Sequence, residues 1–447
     1  MATENPSAPV PPAAQRLVLY AIAYAGSSAI QKGLGFVVFM WLASQLPMAE
    51  YATFGLLYAL LSGVGALALA GVVEAVIGLL AERDAAAGRR KLFGAAEGVF
   101  GLLAGATAAL VAAGAWATEG RLSAQALAAA TVAGILTAYF SLQSQLTRLE
   151  EDHRASLLLS FVPPVVGLAG GCSVFLATRT VAGFFAGFAV ALVGTWLVVP
   201  TRRHRPPSGE SVQADLQAIG RRLPPFVLVA LLAWLAGYGN TWLVEAFFSA
   251  EDVARFAFIY TLSSVMQLVA TSLNQAWSPR LFRELRTESV AVVDARSRRF
   301  FTLQGLALGT TGVALLVAAP LALSLATGRL AAYRELDDEL LLLLVGYAVS
   351  IPWYHVQNYY LAFSKGRQLM HVSLVSSALG LLLWVAMMAL AGSIGVYAGF
   401  ALMMAVRTAG TVWWARREWA IGLMWQGPLL ALVLLLAGSA AARTIGS

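Results

Sequence analysis

The sequence predicts an all-α polytopic membrane protein with about twelve crossings in two six-helix bundles, and three observations carry that prediction. Hydrophobic residues make up 59% of the 447-residue chain and charged residues only 12%, far from the usage of water-soluble domains. Apolar runs of roughly 20 residues, the length that spans a bilayer, recur along nearly the whole chain. The Lys and Arg residues that punctuate those runs alternate in density from one connection to the next.

Taken in order, the runs predict spans over 17–43, 52–80, 93–116, 122–146, 156–178, 181–200, 224–247, 254–278, 300–327, 339–363, 370–391 and 394–414. Residues 420–441 are a candidate thirteenth within the C-terminal segment 415–447. The opening MATENPSAPVPPAAQR lacks the short apolar core and small-residue cleavage site of a signal peptide, so residues 1–16 are expected as a cytosolic tail. With that tail inside, 22 of the 30 Lys and Arg residues fall in cytosolic connections, while Lys32 and Arg407 fall within spans. The net charge of +7 therefore reports orientation and contact with anionic inner-leaflet lipid, and nucleic-acid binding is not expected.

The longest connection, TRRHRPPSGESVQADLQAIGRR, reads as a cytosolic linker over 201–223 that separates bundles at 17–200 and 224–414. The halves repeat. Shifted by 202 residues, Phe54, Tyr58, Leu60 and Ser62 fall on Phe256, Tyr260, Leu262 and Ser264, with Glu50 on Asp252. Six spans per half is an even number, so the copies share one orientation about a pseudo-two-fold axis along the membrane normal.

Nothing in the chain spells out catalysis. The single cysteine, Cys172, lies in span five, and the four histidines show no metal-ligand spacing, so neither cofactor nor metal is expected. Nucleophile-elbow, P-loop and dinucleotide fingerprints are absent, as is a loop large enough to carry catalytic groups outside the bilayer.

Polar residues inside the spans share faces, as the walls of a transport path would. In span one, Tyr20, Tyr24, Ser27, Ser28, Gln31, Lys32 and Gly35 fall within an arc of roughly 140°. Span eight repeats the pattern with Tyr260, Ser264, Gln267, Thr271, Asn274 and Ser278; the blander reading of both stripes is hydrogen-bonded helix packing. In IPWYHVQNYY, residues 351–360, Tyr354, Gln357 and Asn358 lie on one side together with Tyr347 and Ser350. Pro352 there permits a bend, and Trp353, Tyr359 and Tyr360 fit either a cavity wall or an interfacial belt. Lys32 is too deep to snorkel, whereas Arg407 is within snorkelling reach of the span end. His355 reads as a proton carrier or a satisfied buried histidine, and Glu74 and Glu245, near span ends, as coupling groups or partners of loop arginines.

Several stretches resemble one family. SAEDVARFAFIYTLSSVMQLVATSLNQAWSPRLFRE, with its acidic turn, aromatic-rich helix and Pro279, is similar to the corresponding part of bacterial polysaccharide transporters in the multidrug/oligosaccharidyl-lipid/polysaccharide flippase superfamily. AIQKGLGFVVFMWLASQLPMAEYATFGLLY resembles their first two helices, and YYLAFSKGRQ and GSIGVYAGFALMMAVRTAG their spans ten to twelve. The resemblance implies a V-shaped pair of bundles in the bacterial cytoplasmic membrane that flips a polyprenyl-diphosphate-linked glycan between leaflets by alternating access. It also implies Lys32 and Arg407 as holders of the diphosphate, and a polysaccharide polymerase and glycosyltransferases as partners. Three other readings compete. Cation-coupled drug antiporters of the same superfamily carry a carboxylate in the first helix, which span one lacks. A major facilitator is suggested by GLLAERDAAAGRRK, a loop motif interrupted by three extra residues. A scaffold for glycan-assembly enzymes would make no use of polar stripes.

The orientation yields a first test. A cysteine replacing Ser44, beside the turn at Pro47, is expected to react with a membrane-impermeant thiol reagent added to intact cells, and one replacing Ser208 is not. Labelling of the second and not the first would invert the topology.

Overall fold

The computed structural model describes residues 12–80, 86–117, 122–199, 212–363 and 365–446, and the side chains of all of these except 12–25, 28, 29, 86, 87, 116, 117, 279 and 444–446. Its elements are α1 (Pro12–Gln45), α2 (Met48–Leu69), α3 (Val72–Leu80), α4 (Ala86–Ala117), α5 (Ala124–Leu149), α6 (His153–Thr178), α7 (Val181–Val198) and α8 (Gln213–Arg222). After these come α9 (Pro224–Ala236), α10 (Asn240–Phe247), α11 (Ala250–Thr287), α12 (Val290–Leu325), α13 (Asp337–Val349), α14 (Ile351–Ala362), α15 (Gly366–Glu418) and α16 (Gln426–Gly446). A short 3-10 turn, Gly328–Tyr333, lies between α12 and α13.

Among the described residues, ten helical stretches are long and apolar enough to cross a membrane, or eleven if the pair α8 and α9, bent by 51°, counts as one span. Two further crossings come from α1 and from α15, which is a hairpin of two helices hinged at Gly392 (φ 63°). The hairpin is antiparallel: Trp384 Nε1 donates to the Val396 carbonyl at 2.7 Å, and Lys365 Nζ meets Glu418 at 2.6 Å where its ends rejoin. An L side chain strains at that φ, so glycine makes the reversal without a loop.

Ion pairs and contacts at the two ends fix how the spans alternate. Gln45, Arg179 and Arg329 line one crevice, and Arg443 pairs with Asp338, which puts these residues on a single face, here called the Pro47 face. Lys365, Glu418 and the Asp294–Gly422 contact mark the opposite, linker face. Residues 426–446 therefore run from one face to the other: the candidate thirteenth span crosses. It lies parallel to α12 along Gly305, Gly309 and Gly312, so close that a Cβ on Gly427 would stand 2.6 Å from the Phe301 carbonyl oxygen. Small residues at such an interface let helix backbones touch where lipid offers no hydrophobic drive for association.

Local chemistry places the helix starts. Ser123, Asp152 and Thr180 accept from backbone N–H groups three residues on. The acidic turn of SAED proves to be a capping box, with Ser249 Oγ accepting from Asp252 N and Asp252 Oδ2 from Ser249 N. Part of the expected linker is helical. Its second half, SVQADLQAIGRR, and the Leu223 that follows space Leu216, Ile219 and Leu223 for one face, and α8 packs on α3 and α4. Residues 201–211 lie outside the described residues.

Spans one to six pack as one bundle and spans eight to thirteen as another, and α1 and α9 lie between the two, α1 against α6 and α11 and α9 against α2 and α15. The repeat is visible at the seam. Gly55 and Ala257, equivalent under the 202-residue shift, face each other where α2 crosses α11, as residues on a two-fold axis must.

Replacing Gly305 by Val is expected to destabilise the α12–α16 contact by about 1–3 kcal/mol and lower the thermal unfolding midpoint. Val at Gly101, which has open space around it, should change stability by less than about 0.5 kcal/mol. Equal midpoints for the two variants would show that α16 is not tightly packed there.

Candidate functional site

A cavity in two lobes lies between the bundles. The lobe beside α1, of about 460 Å³, is walled by Gln31, Lys32, Phe36 and Phe39 of α1, Pro164 and Phe188 of α6 and α7, and Gln267 and Leu268 of α11. The lobe beside α9, of about 560 Å³, is walled by Ser62, Ala66, Ser141, Ala230 and Trp234. Tyr58, Thr137, Tyr238, Tyr260, Ser264 and Gln267 border both. Tyr238 stands in the break between α9 and α10, where Tyr238 and Gly239 fall outside either helix, and its ring meets Tyr58 edge-on at 5.4 Å.

Toward the Pro47 face the cavity is closed by aromatic packing. Tyr333, from the 3-10 turn, is fully buried between Phe258, stacked at 4.2 Å, and Tyr51, edge-on at 6.2 Å. Phe54 packs on Phe39, Phe184 and Phe185 behind it. Toward the linker face the lobe beside α9 continues past Ala66, Leu69 and Ala230 into a third pocket of about 260 Å³ that holds Glu74 and Gln145.

Lys32 is exposed into the α1 lobe, and it forms no hydrogen bond or ion pair among the described residues. Among the described residues, no Asp or Glu lines either lobe. Thirteen residues of helix, about 20 Å, separate Lys32 from the end of α1, so its ammonium is held at depth by the cavity.

The expected site residues divide into two groups. Gln31, Lys32 and Gln267 line the cavity, and Tyr24 and Ser28 lie outside the residues whose side chains are described. Thr271, Asn274, Tyr354, Gln357, Asn358 and Arg407 do not line it. Tyr354 and Asn358 are buried in the second bundle, and Thr271, Asn274, Gln357 and Arg407 are half-buried there. Asn358 Nδ2 donates to Asn274 Oδ1 at 2.8 Å, and Thr271 Oγ1 donates to the carbonyl of Gln267. The Arg407 guanidinium lies 3.7 Å above the Trp353 ring, with Tyr354 beside that ring. Arg407 therefore turns onto an aromatic face instead of snorkelling, an arrangement worth more where water is excluded. Tyr359 and Tyr360 are fully buried against Trp419, so they form no interfacial belt.

The bend expected at Pro352 is present as the break between α13 and α14 at Ser350, with the proline in the first turn of α14 where its missing N–H is harmless. His355 is fully buried, edge-on to Phe301 at 4.3 Å, with neither ring nitrogen hydrogen-bonded among the described residues. Glu245 is half-buried near the end of α10, outside the cavity wall. Glu74 is exposed and lines the third pocket, and among the described residues it pairs with no arginine. Sequence reasoning missed Thr137, Ser141, Trp234 and Tyr238 as wall residues. Tyr58 was within reach, since its repeat partner Tyr260 was already on a polar stripe.

No protein-family model matches the chain, and no curated protein matches it by sequence. Solved structures match it over nearly their full length. The inward-facing conformation of a multidrug resistance MATE family transporter of the MOP superfamily aligns with a TM-score of 0.57 at 16% identity, covering 87% of this chain and 94% of that one. The Vibrio cholerae MATE transporter VcmN, as a point mutant, aligns at 0.57 and 16% identity over 90% and 98%, and the eukaryotic MATE transporter AtDTX14 at 0.56 and 12% over 94% and 99%. Two bundles with a cavity between them, ten to eleven candidate spans among the described residues and these alignments together give the chain the fold of MATE transporters of the MOP superfamily.

Proposed function

We propose that the chain is an alternating-access transporter whose two bundles rock about the cavity and whose cargo is an amphiphile carrying an anionic group. The observation that carries this reading is Lys32: a cation exposed at depth in a cavity walled by tyrosines, phenylalanines and amides, with no carboxylate among the described residues of either lobe. An anion crossing a low-dielectric core needs a matched cation, and aromatic and amide walls can replace the hydration of a polar cargo.

Two finer readings divide that class. The comparisons favour a small-molecule antiporter, since the three matching structures described above are all named as MATE transporters and the first of them as a multidrug resistance one. Flipping of a lipid-linked oligosaccharide has no support from them and rests on the resemblance of the helix motifs alone. The charge of the cavity adds a condition to the antiporter reading. A cationic drug would meet Lys32 with nothing to offset it, so an anionic or neutral amphiphile is the cargo that fits.

Growth inhibition by a panel of anionic, neutral and cationic toxic compounds, and surface polysaccharide, are the two readouts, taken in cells at equal protein level. Lys32→Ala is expected to lower whichever transport activity the wild-type chain confers by about ten- to hundredfold, the range for losing a charged hydrogen-bond partner, and Lys32→Arg to keep part of it. Protection confined to cationic compounds, or full activity in a well-expressed Lys32→Ala variant, would overturn the reading.

A further inference from the structure

The two halves diverge where their second helices begin. Under the 202-residue shift Ser249 and Asp252, which close the capping box of α11, correspond to Pro47 and Glu50. Proline has neither the hydroxyl nor the N–H that such a box needs, so Pro47 starts α2 without a side-chain cap and the Glu50 carboxylate is not taken up by one. Glu50 is exposed, and it forms no hydrogen bond or ion pair among the described residues.

Glu50 lines the crevice at the Pro47 face, which has a volume of about 440 Å³ and takes its walls from both bundles. Ser44 and Gln45 at the end of α1 and Arg179 at the end of α6 come from the first; Thr327, Gly328 and Arg329, at the turn after α12, come from the second. Arg179 holds the left-handed conformation, φ 56°, and closes α6 by donating its N–H to the Phe175 carbonyl at 2.7 Å. Glycine fills that position at less cost, so an arginine there is strained backbone kept for its side chain.

The cations of the crevice have no matching anions. Arg179 Nη1 reaches only Gln45 Oε1, at 3.4 Å, while the other end of that amide donates to Ser44 Oγ at 3.1 Å. Of the two arginines at the 3-10 turn, Arg334 donates to the Leu323 and Ala326 carbonyls, whereas Arg329 is exposed and bonds to nothing among the described residues. Neither Arg179 nor Arg329 pairs with Glu50, although all three line one space. One carboxylate offsets one of two guanidiniums, and a single positive charge is left over. The Thr327 hydroxyl, which makes no capping bond, adds a neutral donor.

We propose that this crevice binds a phosphate group between Arg179 of the first bundle and Arg329 of the second. Guanidinium forks bind oxyanions through paired N–H donors; a planar carboxylate matches one fork, whereas the oxygens of a tetrahedral phosphate point in several directions and can serve two. The crevice adjoins the aromatic plug: Tyr51 follows Glu50, Tyr333 lies four residues beyond Arg329, and the two rings meet edge-on. A phosphate held between the arginines therefore ties one bundle to the other on the side that the plug closes. That consequence rests on the transport reading; the binding itself does not.

The test needs no cargo. The full chain, purified in detergent, is unfolded thermally at fixed pH and ionic strength with inorganic phosphate at about 1–10 mM, too dilute for general salting effects. A second arm adds phosphatidylglycerol to the micelles, with diacylglycerol as its control. At least one phosphate source should raise the midpoint by about 1–2 °C and saturate. A rise with inorganic phosphate makes the ligand a free oxyanion, and a rise with the phospholipid alone makes it a lipid headgroup. Arg179→Gly should leave the midpoint without phosphate within about 1 °C, because glycine suits that φ, and should abolish the rise. Arg329→Gln should abolish it too, and Arg367→Gln, at an exposed arginine of the linker face, should keep it. No rise with either source, a lipid effect that diacylglycerol matches with no rise in inorganic phosphate, or a rise that survives both Arg179→Gly and Arg329→Gln would overturn the site.

Discussion

The structure hangs on two indole hydrogen bonds between span seven and span two. Trp234 Nε1 donates to the Ala59 carbonyl at 2.8 Å and Trp242 Nε1 to the Leu56 carbonyl at 3.1 Å. These carbonyls lie within α2, and that of Ala59 also accepts from Ser62 Oγ at 2.8 Å, so each indole shares an oxygen that α2 already uses. Gly63 makes this possible, because a Cβ there would stand 2.7 Å from the Trp234 ring. Together the bonds hold the broken span α9–α10 against the opposite bundle, and that placement puts Tyr238 into the cavity, Phe226 over Gly71 and α8 against α3 and α4.

From that seam the rest of the interior follows. With α9 fixed on α2, the two-fold relation carries α1 onto α11, and the space left between the crossed pairs is the cavity. Its tyrosines sit on equivalent turns: Tyr58 and Tyr260 are repeat partners, and Phe36 of α1 corresponds to Tyr238 of span seven. The aromatic plug around Tyr333 then closes one end, while the other end stays lined by small residues such as Ala66 and Ala230.

Much of the fold was legible because spans announce themselves by length and hydropathy. The run 52–80 predicts the α2–α3 stretch to within a few residues, and the charge between the runs marks where they stop. The breaks inside spans were harder. Gly71 lies in an apolar run that looks the same whether or not the helix is interrupted, whereas Pro352 signalled a bend because its chemistry is local. The hairpin at Gly392 matches the two predicted spans 370–391 and 394–414, although nothing in its residues signals that it needs no loop. Polar stripes told which face of a helix is wet or paired, but not which. Gln267 faces the cavity while Asn274, two turns on, is taken by Asn358, and that distinction depends on the register of α14 against α11. The helix α8 was obscured by the proline and serine that precede it.

The two halves differ at one telling pair of positions. Under the 202-residue shift, Lys32 corresponds to Trp234. One copy presents a free charge to the α1 lobe, and the other uses its side chain to bolt α9 to α2. The duplicated scaffold is thereby polarised across the membrane plane, with a cationic side beneath α1 and a mechanically committed side without a cation at the equivalent position beneath α9. A cargo with a charged end and a greasy end can lie in such a cavity in only one sense, so the molecule has a front and a back within the bilayer.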